Sequence, residues 1–254
     1  MPSPSPSAGR ARSSKVICTL PTYNESENVI ALARELLALG SNVEVLVIDD
    51  DSPDGTWRLV GEAVQREPRL HLLHRTSDRG RGAAGRAGFV KALELGADVV
   101  VEMDADFSHQ PKFVPALLAR LEQLGREVGL VLGSRAVAGG SDAERGRLRR
   151  LITFFANTYI RVVLGVPVRD CNSGFRCWKS STLRRIQVAN AFSKGPAIVQ
   201  ELLFKTARAK IAIAEVAIDF VERRRGQSTL TFRILLKGYC TVLQLRWMAI
   251  RGKL

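Results

Sequence analysis

Two aspartates separated by one residue, Asp104 and Asp106, end an apolar stretch in the segment VVVEMDADFSHQP at 99–111. In an extended segment, residues i and i+2 project to the same side, so both carboxylates are expected to face one way. Carboxylate oxygens are the hard ligands that Mg²⁺ or Mn²⁺ prefers, and such an ion usually completes its shell with substrate phosphates. A solvated acidic turn is the alternative, and the pair alone does not exclude it.

Two more apolar stretches end in unusual polar segments, PTYNE at 21–25 and DDDSPDGT at 49–56. Three consecutive aspartates are costly to pack unless each finds a donor or a cation. Carboxylates suit the ribose hydroxyls or base N–H groups of a nucleotide, and Tyr23 suits stacking on a base. The alternatives are an Asp/Pro/Gly turn and a helix start with Asn24 as its cap. The turn explains SPDG but not the three aspartates before it.

The elements that must position these motifs alternate along the chain. Strands are predicted at 16–20, 43–48, 70–75, 98–103, 128–133 and 210–220, and helices at 25–40, 54–67, 82–96, 111–124 and 147–164, with two more helices after the segment NSGFRCW. Apolar strands that alternate with amphipathic helices predict an α/β fold with a mostly parallel central sheet flanked by helices. Ligands bind such sheets beyond the carboxyl ends of the strands, so the polar strand ends should converge there.

The chain of 254 residues is 46% hydrophobic, which supports one large domain with appendages. We expect a disordered Pro/Ser-rich tail over 1–14 that is not a secretory signal, a main domain over 15–230, and an amphipathic C-terminal helix over 231–254. The longest apolar tract, at 151–166, is interrupted by polar residues and falls short of the roughly 20 that a spanning helix needs. A soluble or peripheral protein, rather than an integral membrane protein, is therefore predicted.

The formal net charge is +13, and the excess of basic residues clusters at 145–150, at 222–225 and near the C-terminus. Such charge suits nucleic acid, anionic lipid or phosphorylated substrates, and a solvated basic surface is the alternative. A basic nucleic-acid-binding module is a remote alternative, because three acidic strand ends would repel a phosphate backbone and aromatic residues are not interleaved with the basic ones. Nucleic acid is therefore not an expected partner.

The four cysteines form no CxxC pair, and Cys18 lies in an apolar stretch where a buried thiol is expected. This usage fits a reducing, cytosolic setting.

The motifs PTYNE, DDDSPDGT, DADFSHQP and GSR (133–135), followed by DCNSGFR (170–176) and EVAIDFVERRRGQSTL (215–230), together resemble glycosyltransferase family 2. Over about residues 16–230 the ordered set is similar to that of the polyprenol-phosphate (dolichol-phosphate) mannosyltransferases. The resemblance implies a GT-A fold and an inverting hexosyltransferase that moves mannose from GDP-mannose to a polyprenyl or dolichyl phosphate and releases GDP.

The resemblance also implies roles for individual residues. It assigns the nucleoside to Pro21, Tyr23, Glu25, Ile48 and Asp50. It assigns the diphosphate and a divalent cation, Mg²⁺ or Mn²⁺, to Asp104, the Ala105 backbone and Asp106, with Ser108 at the position of a further metal ligand. Arg135, Arg149 and Arg223 match arginines around the phosphates, and with Asp106 they form the expected catalytic set. Thr229 stands where a lysine is usual.

This chemistry needs no catalytic base, because a phosphate monoester with a second pKa of ~6 is already an anionic nucleophile at neutral pH. The metal and the arginines would neutralise the leaving diphosphate, and a single displacement would invert the anomeric centre. The alternative is a related family 2 enzyme with another donor, such as UDP-glucose, or another acceptor. A hydroxyl acceptor would need a general base, for which Glu201 is the only obvious candidate.

The segments 147–164 and 231–252 are apolar with basic edges, as interfacial helices are. Packing on the sheet is the alternative for both. We expect the protein to lie on the cytosolic face of a membrane, held by the C-terminal segment alone or with a membrane-spanning partner subunit.

Overall fold

The structure, a computed structural model, describes residues 14–142, 146–221, 232–252 and 254, without the side chains of residues 147 and 232–237. The predicted tail lies outside the described residues apart from Ser14, and so does the whole basic segment at 222–225, which includes Arg223, together with Thr229.

Seven strands of the described chain form one sheet. They are β1 (Val16–Thr22), β2 (Val43–Asp49), β3 (Leu70–His74), β4 (Val99–Glu102), β5 (Val128–Ser134), β6 (Arg176–Lys179) and β7 (Ala212–Ala217). The strand order is β3-β2-β1-β4-β6-β5-β7, and every neighbouring pair is parallel except those of β6 with β4 and β5. The predicted mostly parallel sheet is confirmed.

Helices cover both faces of the sheet. They are α1 (Val29–Leu37), α2 (Thr56–Val64), α3 (Arg81–Glu94), α4 (Val114–Gln123), α5 (Arg147–Leu164), α6 (Ser180–Arg185), α7 (Ile198–Arg208) and α8 (Phe232–Ile250). One hydrophobic cluster packs α1, α2 and α4 on the first face, and a second packs α3, α5, α6, α7 and α8 on the other. Alternating residues of each central strand supply the two clusters, which explains why these strands are apolar throughout.

Two local expectations are wrong. The first helix begins at Val29 rather than near residue 25, and Asn28, not Asn24, precedes it. Asn24 instead takes a left-handed conformation, with φ of 59°, and its backbone N–H donates to the Ser52 hydroxyl. A further element, β6, was not predicted. It is only four residues long and carries a basic residue at each end.

Across the described ranges, none of the helices has both the length and the apolar character that a bilayer crossing requires.

Candidate active site

The strands with unusual polar ends are neighbours. β1 lies between β2 and β4 and pairs with both in parallel, so all three carboxyl ends reach the same edge of the sheet. The expected convergence of PTYNE, DDDSPDGT and DADFSHQP is therefore confirmed.

Asp104 and Asp106 occupy different environments. The Asp104 side chain is 35% exposed, and its Oδ1 lies 3.2 Å from Nη2 of Arg81. Asp106 is buried, and its Oδ1 accepts the backbone N–H of Ser108 at 3.0 Å. Phe107, between Asp106 and Ser108, takes a left-handed conformation, with φ of 62°, which closes the turn. A buried carboxylate in a fixed turn does not fit the alternative of a solvated acidic turn.

This donor set fits a divalent cation that is completed by substrate. Within the described residues, no group of three or more His, Cys, Asp or Glu side chains is arranged to hold a metal. One or two carboxylates together with substrate phosphates is the arrangement that Mg²⁺ accepts, and Mn²⁺ shares its preference for hard oxygen ligands. Ser108 is buried and its backbone N–H is engaged by Asp106, while its role as a metal ligand stays a prediction.

His109 lies directly beneath the acidic turn, although the sequence analysis gave it no role. Its Nδ1 accepts the backbone N–H of Asp104 at 3.0 Å, and its ring stacks on Phe175 at 5.1 Å and meets Phe220 edge-on at 5.8 Å. Burial lowers the pKa of His109, although the charges of Asp104 and Asp106 oppose this. A neutral imidazole with Nδ1 as acceptor is thus a support for the turn. In the sequence, only the position of His109 five residues after Asp104 could have indicated this contact.

Three charged residues lie behind the acidic pair, the partly exposed Arg81 and the buried Glu102 and Arg176, and sequence reasoning missed all three. Arg81 donates to Glu102 from Nη1 and to Asp104 from Nη2, both at 3.2 Å. Glu102 pairs with Arg176 across β4 and β6, which places both side chains on the same face. Burial lowers the pKa of Arg176 to about 10, whereas the charges of Asp104 and Glu102 outweigh burial and raise that of Arg81.

Each of the three consecutive aspartates finds donors within the protein. Asp49 accepts hydrogen bonds from Thr22 and from the amide and hydroxyl of Ser52. Asp50 is bound by Arg75 and by the backbone N–H of Gly80. Asp51 is bound by His74 and Arg79. The charges of this cluster are therefore satisfied before any ligand arrives, and burial raises the pKa of Asp50 in spite of its two donors.

The residues assigned to the nucleoside lie at this edge of the sheet and differ in how exposed they are to solvent. Tyr23 is 56% exposed and lines a cavity of about 390 Å³ together with Asp51, Trp57 and Arg79. Glu25 accepts from the Asn28 side chain at 2.9 Å.

The other assigned residues are more enclosed. Pro21 is half-buried within β1, and Ala105 is buried between the two aspartates. The Ile48 side chain is fully buried in the core and would contact a Cβ placed on Gly88. A contribution of Ile48 to ligand binding is therefore restricted to its backbone.

The three arginines predicted to lie around the phosphates differ in their positions relative to the acidic turn. Arg135 follows β5 and lies over the Phe220 ring at 5.1 Å, on the ring that His109 also contacts, so it approaches the acidic turn. Its Nε and Nη2 donate to Asp170. Arg149 is exposed on the first turn of α5, and Arg223 lies outside the described residues.

Glu201 is not available as a general base. It is fully buried in α7, it accepts the backbone N–H groups of Phe192 and Ser193, and Lys205 lies 2.9 Å from its Oε1. A carboxylate held this way fixes a loop, so the candidate base for a hydroxyl acceptor is excluded.

Residues 18–198 match the family model described as Glycosyl transferase family 2. The chain belongs to glycosyl transferase family 2. A relative named undecaprenyl-phosphate mannosyltransferase, from Micrococcus luteus, is 38% identical over 94% of this chain and 99% of its own length. A polyprenol monophosphomannose synthase from Mycolicibacterium smegmatis is 36% identical over 94% of this chain and 89% of its own. These matches confirm the resemblance to the polyprenol-phosphate mannosyltransferases and the prediction of a hexosyl-transferring enzyme.

Solved structures show the same fold at lower identity. Glucosyl-3-phosphoglycerate synthase from Mycobacterium tuberculosis, in complex with UDP, matches with a TM-score of 0.68 and 22% identity over 94% of this chain and 81% of its own. The same enzyme in complex with Mn²⁺, UDP-glucose and glycerol 3-phosphate matches with a TM-score of 0.67, 22% identity and coverage of 93% and 80%. The GT-A type of nucleotide-binding fold expected for family 2 is confirmed.

Proposed function

We propose that this enzyme transfers mannose from GDP-mannose to a polyprenyl or dolichyl phosphate, giving polyprenyl-phosphate mannose and GDP. The observation that carries the proposal is the likeness to the undecaprenyl-phosphate mannosyltransferase of M. luteus, which extends over 94% of this chain and 99% of the relative. The polyprenol monophosphomannose synthase of M. smegmatis supports the same class of acceptor.

Asp104, the Ala105 backbone and Asp106, with Ser108 beside them, would hold Mg²⁺ or Mn²⁺ together with the donor diphosphate. The partly exposed Asp104 and the turn that fixes Asp106 support this role. A bound cation would neutralise the charge that develops on the leaving diphosphate. The neighbour solved with Mn²⁺ and UDP-glucose supports a cation in this fold.

Tyr23 and Glu25 would contact the nucleoside, because both lie at the open edge of the sheet. Asp50, Pro21 and the Ile48 backbone would line the side of that site that faces the protein core. Arg75 and Gly80 hold the Asp50 carboxylate in place, so this side is formed without ligand.

The acceptor phosphate would attack without a base. One of its oxygens forms the bond to C1 of the sugar while the bond from C1 to the donor phosphate oxygen breaks, and the configuration at C1 inverts. Arg135, Arg149 and Arg223 would offset the repulsion between the two anions. The burial of Glu201 supports a phosphate acceptor, because a hydroxyl acceptor would need a base that this residue does not provide.

Two apolar surfaces support contact with a membrane. On α5 the exposed apolar side chains are Leu148, Leu151, Ile152, Phe154, Phe155 and Val162. Among the α8 side chains that the structure describes, they are Leu243, Trp247 and Ile250, about one helical turn apart, while Val242 and Leu245 pack into the core. Exposed apolar surface of this extent on a basic protein is typical of an interfacial site.

We therefore propose peripheral binding to the cytosolic face of a membrane, through both helices. Since α8 also packs into the core, its removal would damage the fold as well as the membrane contact. A membrane-spanning partner subunit is the alternative anchor.

The test is transfer of labelled sugar from GDP-mannose, and in parallel from UDP-glucose, into an organic-extractable polyprenyl phosphate with Mn²⁺, Mg²⁺ or EDTA. We expect metal-dependent labelling from GDP-mannose alone. Labelling from UDP-glucose alone would keep the mechanism and replace the donor, as the UDP-glucose complex of the structural neighbour suggests. Salt-sensitive binding of oligonucleotides without any sugar transfer would instead favour a nucleic-acid-binding module.

A further inference from the structure

Arg81 lies between two carboxylates that belong to the same strand end. Its Nη1 is 3.2 Å from Oε1 of Glu102, and its Nη2 is 3.2 Å from Oδ1 of Asp104. Glu102 is buried, whereas the side chains of Arg81 and Asp104 are 25% and 35% exposed. The guanidinium group therefore extends from the core to the opening of the candidate cation site.

The surroundings of Arg81 fix this position. A Cβ on Gly85 would lie 3.3 Å from Nη1, and a Cβ on Gly174 would lie 3.5 Å from Nη2. The glycines at these two positions leave room for the Arg81 guanidinium group. The group lies between α3, which carries Gly85, and the loop before β6, which carries Gly174. The charge of Arg81 is thus a permanent feature of the site, since the buried Glu102 holds one end of the group.

We propose that Arg81 is a positioning residue that weakens the binding of a bare divalent cation to the free enzyme and strengthens the binding of the donor diphosphate. The inference rests on the proposed cation site at Asp104 and Asp106. A cation ligated by Asp104 would share that carboxylate with the guanidinium group, and like charges a few ångströms apart repel strongly in a partly buried site. The same charge attracts an anionic diphosphate. The cation would consequently enter most readily together with the nucleotide.

The two effects have opposite signs, which a purely structural role would not produce. In Arg81→Met, we expect Mn²⁺ alone to bind more tightly, by on the order of tenfold. We expect GDP in the presence of EDTA to bind more weakly, by a similar factor. A variant that only loosened the fold would weaken both ligands.

The measurement is Mn²⁺ binding by electron paramagnetic resonance without nucleotide, and calorimetric titration of GDP, with UDP in parallel, in EDTA. Arg81→Lys keeps the charge and should retain values near those of the unchanged protein. Arg86→Met is the matched control, because Arg86 lies on the same helix but pairs with Asp78 and the Ala191 carbonyl. If Arg81→Met does not fold, Arg81→Met combined with Glu102→Gln removes both members of the ion pair. This double variant should still bind Mn²⁺ more tightly and GDP more weakly than the unchanged protein.

Weaker Mn²⁺ binding in folded Arg81→Met, or an unchanged affinity of that variant for either ligand, would overturn the inference while leaving the cation site intact. If the unchanged protein binds no Mn²⁺ even with nucleotide present, the cation site itself fails and the inference with it. Asp106→Ala distinguishes the two cases, since it should remove Mn²⁺ binding wherever Asp104 and Asp106 are the ligands.

Discussion

Arg135 binds the carboxylate of Asp170 through two hydrogen bonds, from Nε at 2.7 Å and from Nη2 at 2.8 Å. The backbone N–H of Arg135 adds a third bond at 3.1 Å. Asp170 begins the DCNSGFR segment, so this pair ties the end of β5 to the loop that leads into β6. The Arg135 position that the proposed reaction needs is therefore set by a residue 35 places away in the sequence.

Asp170 makes stability dependent on pH in the acid range. Burial would raise the pKa of Asp170, but the hydrogen bonds and charge of Arg135 outweigh it and hold the pKa below its ordinary value. The stabilisation is complete above the unfolded-state pKa, roughly 3.9, and is lost as pH falls through the lower folded-state pKa.

We expect Asp170→Asn to cost about 3–5 kcal/mol at neutral pH, because it leaves the largely buried Arg135 without its ion pair. The variant should also flatten the decline of the unfolding free energy below about pH 4. Urea denaturation across this range measures both effects, with Glu122→Gln on the exposed face of α4 as control. An equally steep acid decline in Asp170→Asn would show that this pair is not its source.

Asp106→Ala should reduce transfer by at least about a hundredfold, because it removes a carboxylate from the cation site. The measurement is initial rate at saturating donor and metal, together with the thermal unfolding midpoint. Asp98→Asn is the matched control, because Asp98 is exposed just before the opposite end of β4 and its side chain accepts the backbone N–H of Lys15. Unchanged transfer in folded Asp106→Ala would rule out the metal role.

Glu201→Gln should affect stability and not chemistry. The buried carboxylate accepts two backbone N–H groups and pairs with Lys205, so we expect a loss of about 1–3 kcal/mol in unfolding free energy. The rate of transfer per folded molecule and its pH profile should stay as they are. A folded variant whose transfer rate per folded molecule falls by about a hundredfold or more would restore Glu201 as a candidate base.

The exposed face of α5 should govern binding to anionic liposomes. Replacing Phe154 and Phe155 with serine removes two side chains that are 63% and 60% exposed, so folding should be little affected. We expect binding to fall by at least about tenfold, from the lost apolar transfer energy. Leu39→Ser with Leu59→Ser is the control, because these exposed leucines lie on the opposite side of the sheet. Equal loss in both pairs would point to general hydrophobicity rather than to α5.

Features that follow from a local pattern of residues were predicted from the sequence. Continuous apolar stretches identified the parallel strands, and the polar residues after β1, β2 and β4 identified the edge where they meet. β6 was missed because its four residues contain a buried arginine and are held by strands on both sides, which no local pattern reports. Asn24 was misplaced as a cap because its contact is to Ser52, in another loop.

The site was predictable where the ligand-binding residues are neighbours in sequence, as Asp104 and Asp106 are. Arg81 and Glu102 were not found, since their roles arise from the packing of α3 against β4. The three aspartates at 49–51 were correctly identified as unusual, but apart from Ser52 their donors come from residues that only the fold brings near.

The same three aspartates connect separate parts of the nucleotide side of the site. Asp49 binds the end of β1, Asp50 binds the start of α3, and Asp51 binds the end of β3. No one of these segments can leave its place without breaking a hydrogen bond to one of these aspartates. Their backbone amides should therefore exchange with deuterium as one cooperative unit, and a nucleotide that protects one of them should slow exchange in all three.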